Sequence, residues 1–290
     1  MKGIIVAAGY GTRFLPVTKT VPKELLPLVN VPSIQFIVDE FTASGITDIV
    51  IISSRRKKVL EDYFDREVEL EDVFCREGKV SSLEAITPSG ANIAFVRQQR
   101  MMGTGHALLQ VKPWVGSDPC VVAYPDDLHF GQRPLAGQLM DIWKKTGCSV
   151  MAAVHEPGDV SRYGVLDIAA DGEMVRGIVE KPPVGTEPSH EISIGRYLYT
   201  PEFFELLEEG WHMHEKAARK DGRTPGEYYH IYALNRLMAA GKVAACRAEG
   251  RRLDTGDPAG YLEAVLTYAD SRSDLRPVLD AWLSARVRPV

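Results

Sequence analysis

From residue 2 to residue 8 the chain runs Lys-Gly-Ile-Ile-Val-Ala-Ala and then meets Gly9. A short apolar run with no polar alternation, closed by glycine, predicts a strand buried on both faces, as in a parallel sheet. A loop rich in glycine and proline follows over 9–32. Over 33–44 the apolar residues Ile34, Ile37, Val38 and Phe41 recur at helical spacing, and Gly45 supplies a stop. The alternation continues with a strand at 48–53, a helix at 57–64, a strand at 92–98 and a helix opening near Gly105. A strand at 120–124, a helix at 135–146 and a strand at 149–154 complete it. Strands alternating with helices of this length predict an α/β domain whose mostly parallel sheet is covered on both faces.

After Tyr163 the pattern changes. Two β-rich runs, 164–168 and 174–179, flank the turn signal Ala170-Asp171-Gly172 and predict an inserted hairpin. Helices are expected at 201–208 and 227–240, then a strand at 243–247 and a last helix at 258–269. There is no repeat, long linker or low-complexity segment, so one domain with a second lobe built from later insertions is expected.

Composition narrows the possible functions. With 290 residues, 45% of them hydrophobic and 25% charged, the chain can bury a full core. The apolar run 4–8 is too short for a signal segment or a membrane span, so a cytoplasmic protein without membrane contact is expected. Cys75, Cys120, Cys148 and Cys246 form no CxxC pair, which argues for reduced thiols over a zinc site or a disulfide framework. A net charge of −5 offers no basic field for nucleic acid, so an anionic ligand must be held by a local cluster of cations.

Three places carry candidate chemistry. In the loop after the first strand, Gly9 and Gly11 allow backbone N–H groups to approach an anion, while Arg13 and Lys23 add positive charge. GxxxxGK[ST] is absent, and GxGxxG fails because Phe14 occupies its last position. Asp126-Asp127 follow an apolar strand, at the carboxyl end where open α/β sheets bind ligands, and magnesium takes one or two carboxylates plus phosphate oxygens and water. Glu180-Lys181-Pro182 end a strand that the proline halts, so two charged side chains project there. Each also has a plainer reading: a glycine turn, a capping aspartate, a surface ion pair. His106 reads as a structural histidine, and His212 and His214, at i and i+2, point apart on a helix.

Taken together these segments resemble a known family. The stretch from Gly9 to Pro27 is similar to the signature of the sugar-1-phosphate nucleotidyltransferases. Pro22-Lys23-Glu24-Leu25-Leu26-Pro27 resembles the form seen in bacterial UTP:glucose-1-phosphate uridylyltransferases (UDP-glucose pyrophosphorylases), whose thymidylyl relatives usually carry Gln where Glu24 stands. The similarity continues in order through Val96-Arg97-Gln98, 103–107, Pro125-Asp126-Asp127, Tyr163-Gly164-Val165, 179–182, Gly195-Arg196-Tyr197 and Asp254-Thr255-Gly256.

The resemblance implies a Rossmann-like nucleotidyltransferase fold. A mostly parallel central sheet flanked by helices would bind nucleotide within about 1–155, and a smaller sugar-binding lobe of inserted β-hairpins with the C-terminal helices would occupy about 156–290. It implies transfer of a uridylyl group from UTP to glucose 1-phosphate with release of pyrophosphate, using Mg2+ on Asp126 and Asp254, with Asp127 as their partner. Arg13, Lys23 and Lys181 would neutralise phosphate charge. Ala8, Gly9, Gly11, Thr12, Glu24, Gln98, Gly103 and Gly105 would contact the nucleotide, Gln98 at the uracil edge. Tyr163, Gly164, Glu180, Lys181 and Gly195 would contact the sugar, and a homodimer or homotetramer is expected.

One segment departs from the pattern. The family usually reads close to Glu-Ile-Gln-Leu-Thr-Asp-Ala where this chain has Glu227-Tyr228-Tyr229-His230-Ile231-Tyr232-Ala233. The sugar identity therefore stays open to a bulkier or N-acetylated hexose, and dTTP stays open as the nucleotide. A dinucleotide oxidoreductase lacks its glycine fingerprint here. A non-catalytic nucleotide-binding regulator would have no need to keep Asp126, Asp254 and Lys181 together.

Overall fold

The computed structural model describes residues 1–88 and 90–286. In chain order the first half comprises β1 (Lys2–Val6), β2 (Pro27–Leu28), β3 (Val31–Pro32), α1 (Ser33–Ala43), β4 (Asp48–Ser53), α2 (Val59–Phe64), α3 (Val68–Glu77), α4 (Val80–Ile86), β5 (Asn92–Arg97), α5 (Gly103–Leu109), α6 (Lys112–Val115), β6 (Cys120–Ala123), β7 (Asp127–Phe130) and α7 (Leu135–Thr146). The second half comprises β8 (Ser149–His155), β9 (Gly164–Ile168), β10 (Val175–Glu180), β11 (Glu191–Tyr199), α8 (Pro201–Lys220), α9 (Ile231–Ala239), β12 (Val243–Arg247), β13 (Arg251–Asp254), α10 (Pro258–Ser271) and α11 (Arg276–Ser284).

The central sheet runs in the order β5-β4-β1-β6-β11-β8-β12, and only β11 is reversed. The expected mostly parallel sheet is therefore present. Both of its faces are buried, which is why its strands are apolar runs without alternation. One face, with Ile5, Ile49, Ile51 and Val121, packs on α1 and α7 through Ile34, Ile37, Phe41, Leu135 and Leu139. The other face, with Ile4, Val50, Ile52 and Val122, packs on α5, α8 and α9 through Leu108, Phe203, Leu207 and Leu234. The β9–β10 hairpin pairs antiparallel and joins the sheet where Val165 meets Ile192 of β11.

A buried ion pair ties these layers together. Arg196 on β11 is 1% exposed and grips Glu40 of α1 through Nε at 2.9 Å and Nη2 at 2.8 Å. Glu40 also accepts from the N–H of Ala136 at the start of α7. Two groups that would be costly to bury alone thereby satisfy each other.

Several expectations are corrected. The helix expected at 201–208 continues to Lys220 as one amphipathic element. The helix expected at 227–240 begins only at Ile231, because the Tyr228 backbone is tied to the start of α5: its N–H donates to Met102 O at 2.7 Å and its carbonyl accepts from Gly105 N at 2.9 Å. Helices α3, α4 and α11, strand β11 and the short β7–β13 pair were not anticipated. Among the described residues no helix is long and apolar enough to cross a membrane.

Candidate active site

The parallel strands β1, β4 and β6 deliver their carboxyl ends to one edge of the sheet, and the loops leaving β1 and β6 meet there. The loop after β1 is wound into short 3-10 turns at Thr12–Phe14, Val17–Lys19 and Lys23–Leu25. Thr18 Oγ1 donates to Gly11 O at 2.8 Å and fixes the curl. Lys57 clamps it from behind: its Nζ donates to Ala7 O at 2.6 Å and to both oxygens of Glu24 at 2.7 Å. Glu24 is fully buried in this pair, so its carboxylate anchors the loop.

After β6 the chain turns through Pro125-Asp126-Asp127 into β7, which pairs antiparallel with β13 so that Asp127 faces Asp254 across the ladder. Thr255 completes the junction, donating to Asp126 O from its N–H at 2.8 Å and from its hydroxyl at 3.1 Å. Asp126 and Asp254, far apart in sequence, thus lie side by side. Lys23 Nζ donates to Asp126 Oδ2 at 2.5 Å, while Arg252 bonds Asp127 through Nε and reaches Asp254 Oδ2 at 3.1 Å. The other Asp127 oxygen accepts from Gly195 N at 2.9 Å, and that of Asp254 accepts from Gly256 N at 2.9 Å.

Electrostatics follow from these contacts. Burial works to raise the Asp126 carboxyl, yet the Lys23 ammonium, a backbone hydrogen bond and Arg13 together outweigh it and hold Asp126 below the usual carboxylate range. Lys23 is burdened by the same burial but raised by Asp126 and Glu24. Asp127 goes the other way, pushed up by burial despite Arg252.

Gly256 marks the gap between the two carboxylates. A Cβ there would stand 2.9 Å from Asp254 Oδ1, 3.5 Å from Arg13 Nη1 and 3.6 Å from Asp126 Oδ2, so the absent side chain leaves a cradle faced by two carboxylate oxygens and the Arg13 guanidinium. Such a space suits a small hard cation that completes its shell with phosphate oxygens and water. Among the described residues no group of three His, Cys, Asp or Glu side chains could hold a metal unaided.

Two adjoining cavities open from this cluster. The first, about 410 Å³, is lined by Arg13, Asp126, Asp127, Tyr163, Gly195 and Asp254, with Arg162, Arg252 and Asp257 beside them. The second, about 490 Å³, is lined by Gly164, Glu180, Lys181 and Tyr229. Thr104, Ser193, Tyr197 and His230 belong to both walls. Lys181 sits at the end of β10 with φ of 48°, a left-handed conformation that is costly for a lysine, and its N–H donates to Tyr163 O at 2.9 Å.

The remaining expected nucleotide contacts are not in either lining. Ala8, Gly9, Gly11 and Thr12 form the curl beside Arg13, with Gly9 at a small cleft shared with Lys19 and Arg56. Gln98 is buried and donates to Gly103 O at 3.1 Å, with its Nε2 also 3.1 Å from His106 Nδ1. Gly103 and Gly105 are required by the chain itself: a Cβ would meet Tyr228 O at 2.5 Å at the former and Tyr228 Cδ1 at 2.8 Å at the latter. Sequence reasoning missed Arg252, which binds two of the three aspartates, and Arg196, whose Nη2 donates to Asp127 O at 3.2 Å. The signal for Arg252 was its position two residues before Asp254, which on a strand puts both side chains on one face.

Residues 2–271 match the family described as nucleotidyl transferase, and the chain belongs to that family. It is 40% identical over 288 residues to a UTP–glucose-1-phosphate uridylyltransferase of Staphylococcus epidermidis, covering 97% of this chain and 96% of the relative. A UTP-bound UGPase from Acinetobacter baumannii matches its structure with a TM-score of 0.86 at 31% identity over 99% of both chains. A UDP-glucose pyrophosphorylase complexed with UDP-glucose matches with a TM-score of 0.77 at 34% identity, over 94% of this chain and all of that one.

Proposed function

We propose that the chain is a uridylyltransferase that joins UTP to glucose 1-phosphate, giving UDP-glucose and pyrophosphate. The observation that carries this reading is the charge balance of the first cavity. Three arginines line it against four aspartates, and with Lys23 the count is even. A pocket without net positive charge is poorly matched to two polyanions, so the Asp126–Asp254 cradle calls for a divalent cation, for which Mg2+ is the assignment. The names and bound nucleotides of the relatives support the substrate pair.

In this reading a glucose 1-phosphate oxygen attacks the α-phosphorus of UTP in line, and pyrophosphate leaves with the electron pair of the broken P–O bond. The attacking phosphate is already ionised near neutral pH, so no general base is required. Catalysis is positioning and charge neutralisation. Bound Mg2+ would supply positive charge at the phosphates. Arg13 and Lys23 face the triphosphate. Lys181 takes the sugar phosphate, Glu180 accepts from sugar hydroxyls, and Tyr163, Gly164 and Gly195 shape the hexose wall. Asp127, held by Arg252 and Gly195 N, orients the cluster. Ala8, Gly9, Gly11 and Thr12 offer the phosphate curl, and Gln98, Gly103 and Gly105 the base end, with Glu24 supporting the loop.

The nucleotide part (about 1–155) and sugar lobe (about 156–290) act as one domain in this proposal, in a cytoplasmic homodimer or homotetramer. The test is a coupled pyrophosphate assay over UTP and dTTP against glucose, galactose and N-acetylglucosamine 1-phosphates. Release only when UTP and glucose 1-phosphate are both present is the expected result. Preference for another pair would reassign the substrate, and no release with any pair would overturn the reading.

A further inference from the structure

His230 stands in the segment that departs from the family pattern. The fold puts it on the wall common to both cavities, with Arg13 and Asp126 on one side and Glu180 and Lys181 on the other. Its Nδ1 lies 2.7 Å from Thr104 Oγ1 and 3.3 Å from Tyr124 Oη. Thr104 Oγ1 also accepts from the His230 N–H at 3.4 Å, and the Thr104 and Tyr124 hydroxyls each carry a hydrogen that can be given to Nδ1. With Nδ1 serving as acceptor, the ring proton belongs on Nε2.

That nitrogen has no protein partner among the described residues, and the residue keeps part of its surface open. The rings of Tyr197 at 5.4 Å and Tyr124 at 5.9 Å hold the imidazole in place. Burial also pushes it down to about 4, so it is neutral at ordinary pH and does not act as a phosphate-binding cation. A donor fixed in orientation, uncharged and placed between the phosphate and sugar cavities is suited to an oxygen of the hexose.

Building on the proposed function, we infer that His230 is a specificity-determining residue whose Nε2–H donates to one ring hydroxyl of the sugar 1-phosphate. A leucine at this position could make no such bond.

The test compares wild type with His230→Leu, His230→Phe and His230→Asn in steady-state pyrophosphate release, using glucose 1-phosphate and its 2-, 3-, 4- and 6-deoxy analogues. His230→Leu and His230→Phe should raise KM for glucose 1-phosphate roughly ten-fold, the loss of one hydrogen bond, while KM for UTP stays within about two-fold. His230→Asn, which keeps a donor, should recover part of the loss. For the one deoxy analogue that lacks the accepting hydroxyl, wild type and the leucine variant should become equal. Unchanged KM in the leucine and phenylalanine variants, or an equal penalty with every deoxy sugar, would overturn the inference. Wild-type inactivity with all sugar phosphates would instead overturn the functional reading beneath it. Two apolar variants of different shape guard against a folding defect in either one.

Discussion

Replacing Gly256 by alanine would probe the carboxylate cradle with a single methyl group. Gly256 does not have positive φ, so its backbone accepts alanine, and Gly→Ala at a compatible site changes stability by no more than about 1 kcal/mol. The new methyl would lie 2.9 Å from Asp254 Oδ1, where ordinary contact begins near 3.4 Å, so that oxygen must retreat by about half an ångström. Asp254 is held by Arg252 and by Gly256 N, and cannot swing away without losing both. Magnesium tolerates little departure from its octahedron, and a misplacement of about 1 Å costs about a hundred-fold. Half that displacement should cost about ten-fold in kcat/KM, with a raised Mg2+ requirement because the methyl fills part of the space. Pyrophosphate release measured across a Mg2+ titration reads both effects, and a melting curve within a few degrees of wild type confirms the fold. Normal activity at limiting Mg2+ would refute the placement of the ion between Asp126 and Asp254.

Asp126→Asn should lower turnover by about a thousand-fold or more with little loss of melting temperature; near-normal activity in Mg2+ would remove Asp126 from the mechanism. Lys181→Ala should raise KM for glucose 1-phosphate far more than KM for UTP, and equal effects on both would contradict its assignment to the sugar phosphate. Arg196→Met strands the Glu40 carboxylate in the core and should cost about 3–5 kcal/mol in urea unfolding, whereas a loss below about 1 kcal/mol would deny the pair its structural part. His230 has its ordinary value of 6.5 lowered to about 4, so between those values the unfolded chain binds a proton that the folded chain refuses. Its contribution is complete above pH 6.5 and fades as pH falls, by roughly 2 kcal/mol at pH 5. His230→Leu should therefore flatten the fall in melting temperature between pH 7 and pH 5; parallel curves would contradict the shift.

The legible part of the fold is the part whose signals are local. Strands β4 and β12 and helix α7 fall where the sequence puts them, because a short unbroken apolar run or an amphipathic period with a glycine stop admits few alternatives. Helices α3 and α4 lie on the surface with no buried residue, and they escaped notice although α3 is amphipathic. The start of α9 was misjudged because a tertiary contact, Tyr228 against Gly103 and Gly105, overrides helical propensity over 227–230. In the site, motif order pointed to Asp126 and Asp254, but their adjacency depends on a four-residue ladder that no periodicity reveals. Arg252 and His230 were harder still, since each takes its meaning from partners distant in the chain.

The β7–β13 ladder has a temporal side. One carboxylate of the proposed cation cradle follows β6, whereas the other lies on β13, just before the last two helices. A nascent chain therefore carries both carboxylates only once β13 has been synthesised, so competence for the proposed chemistry comes late in its making.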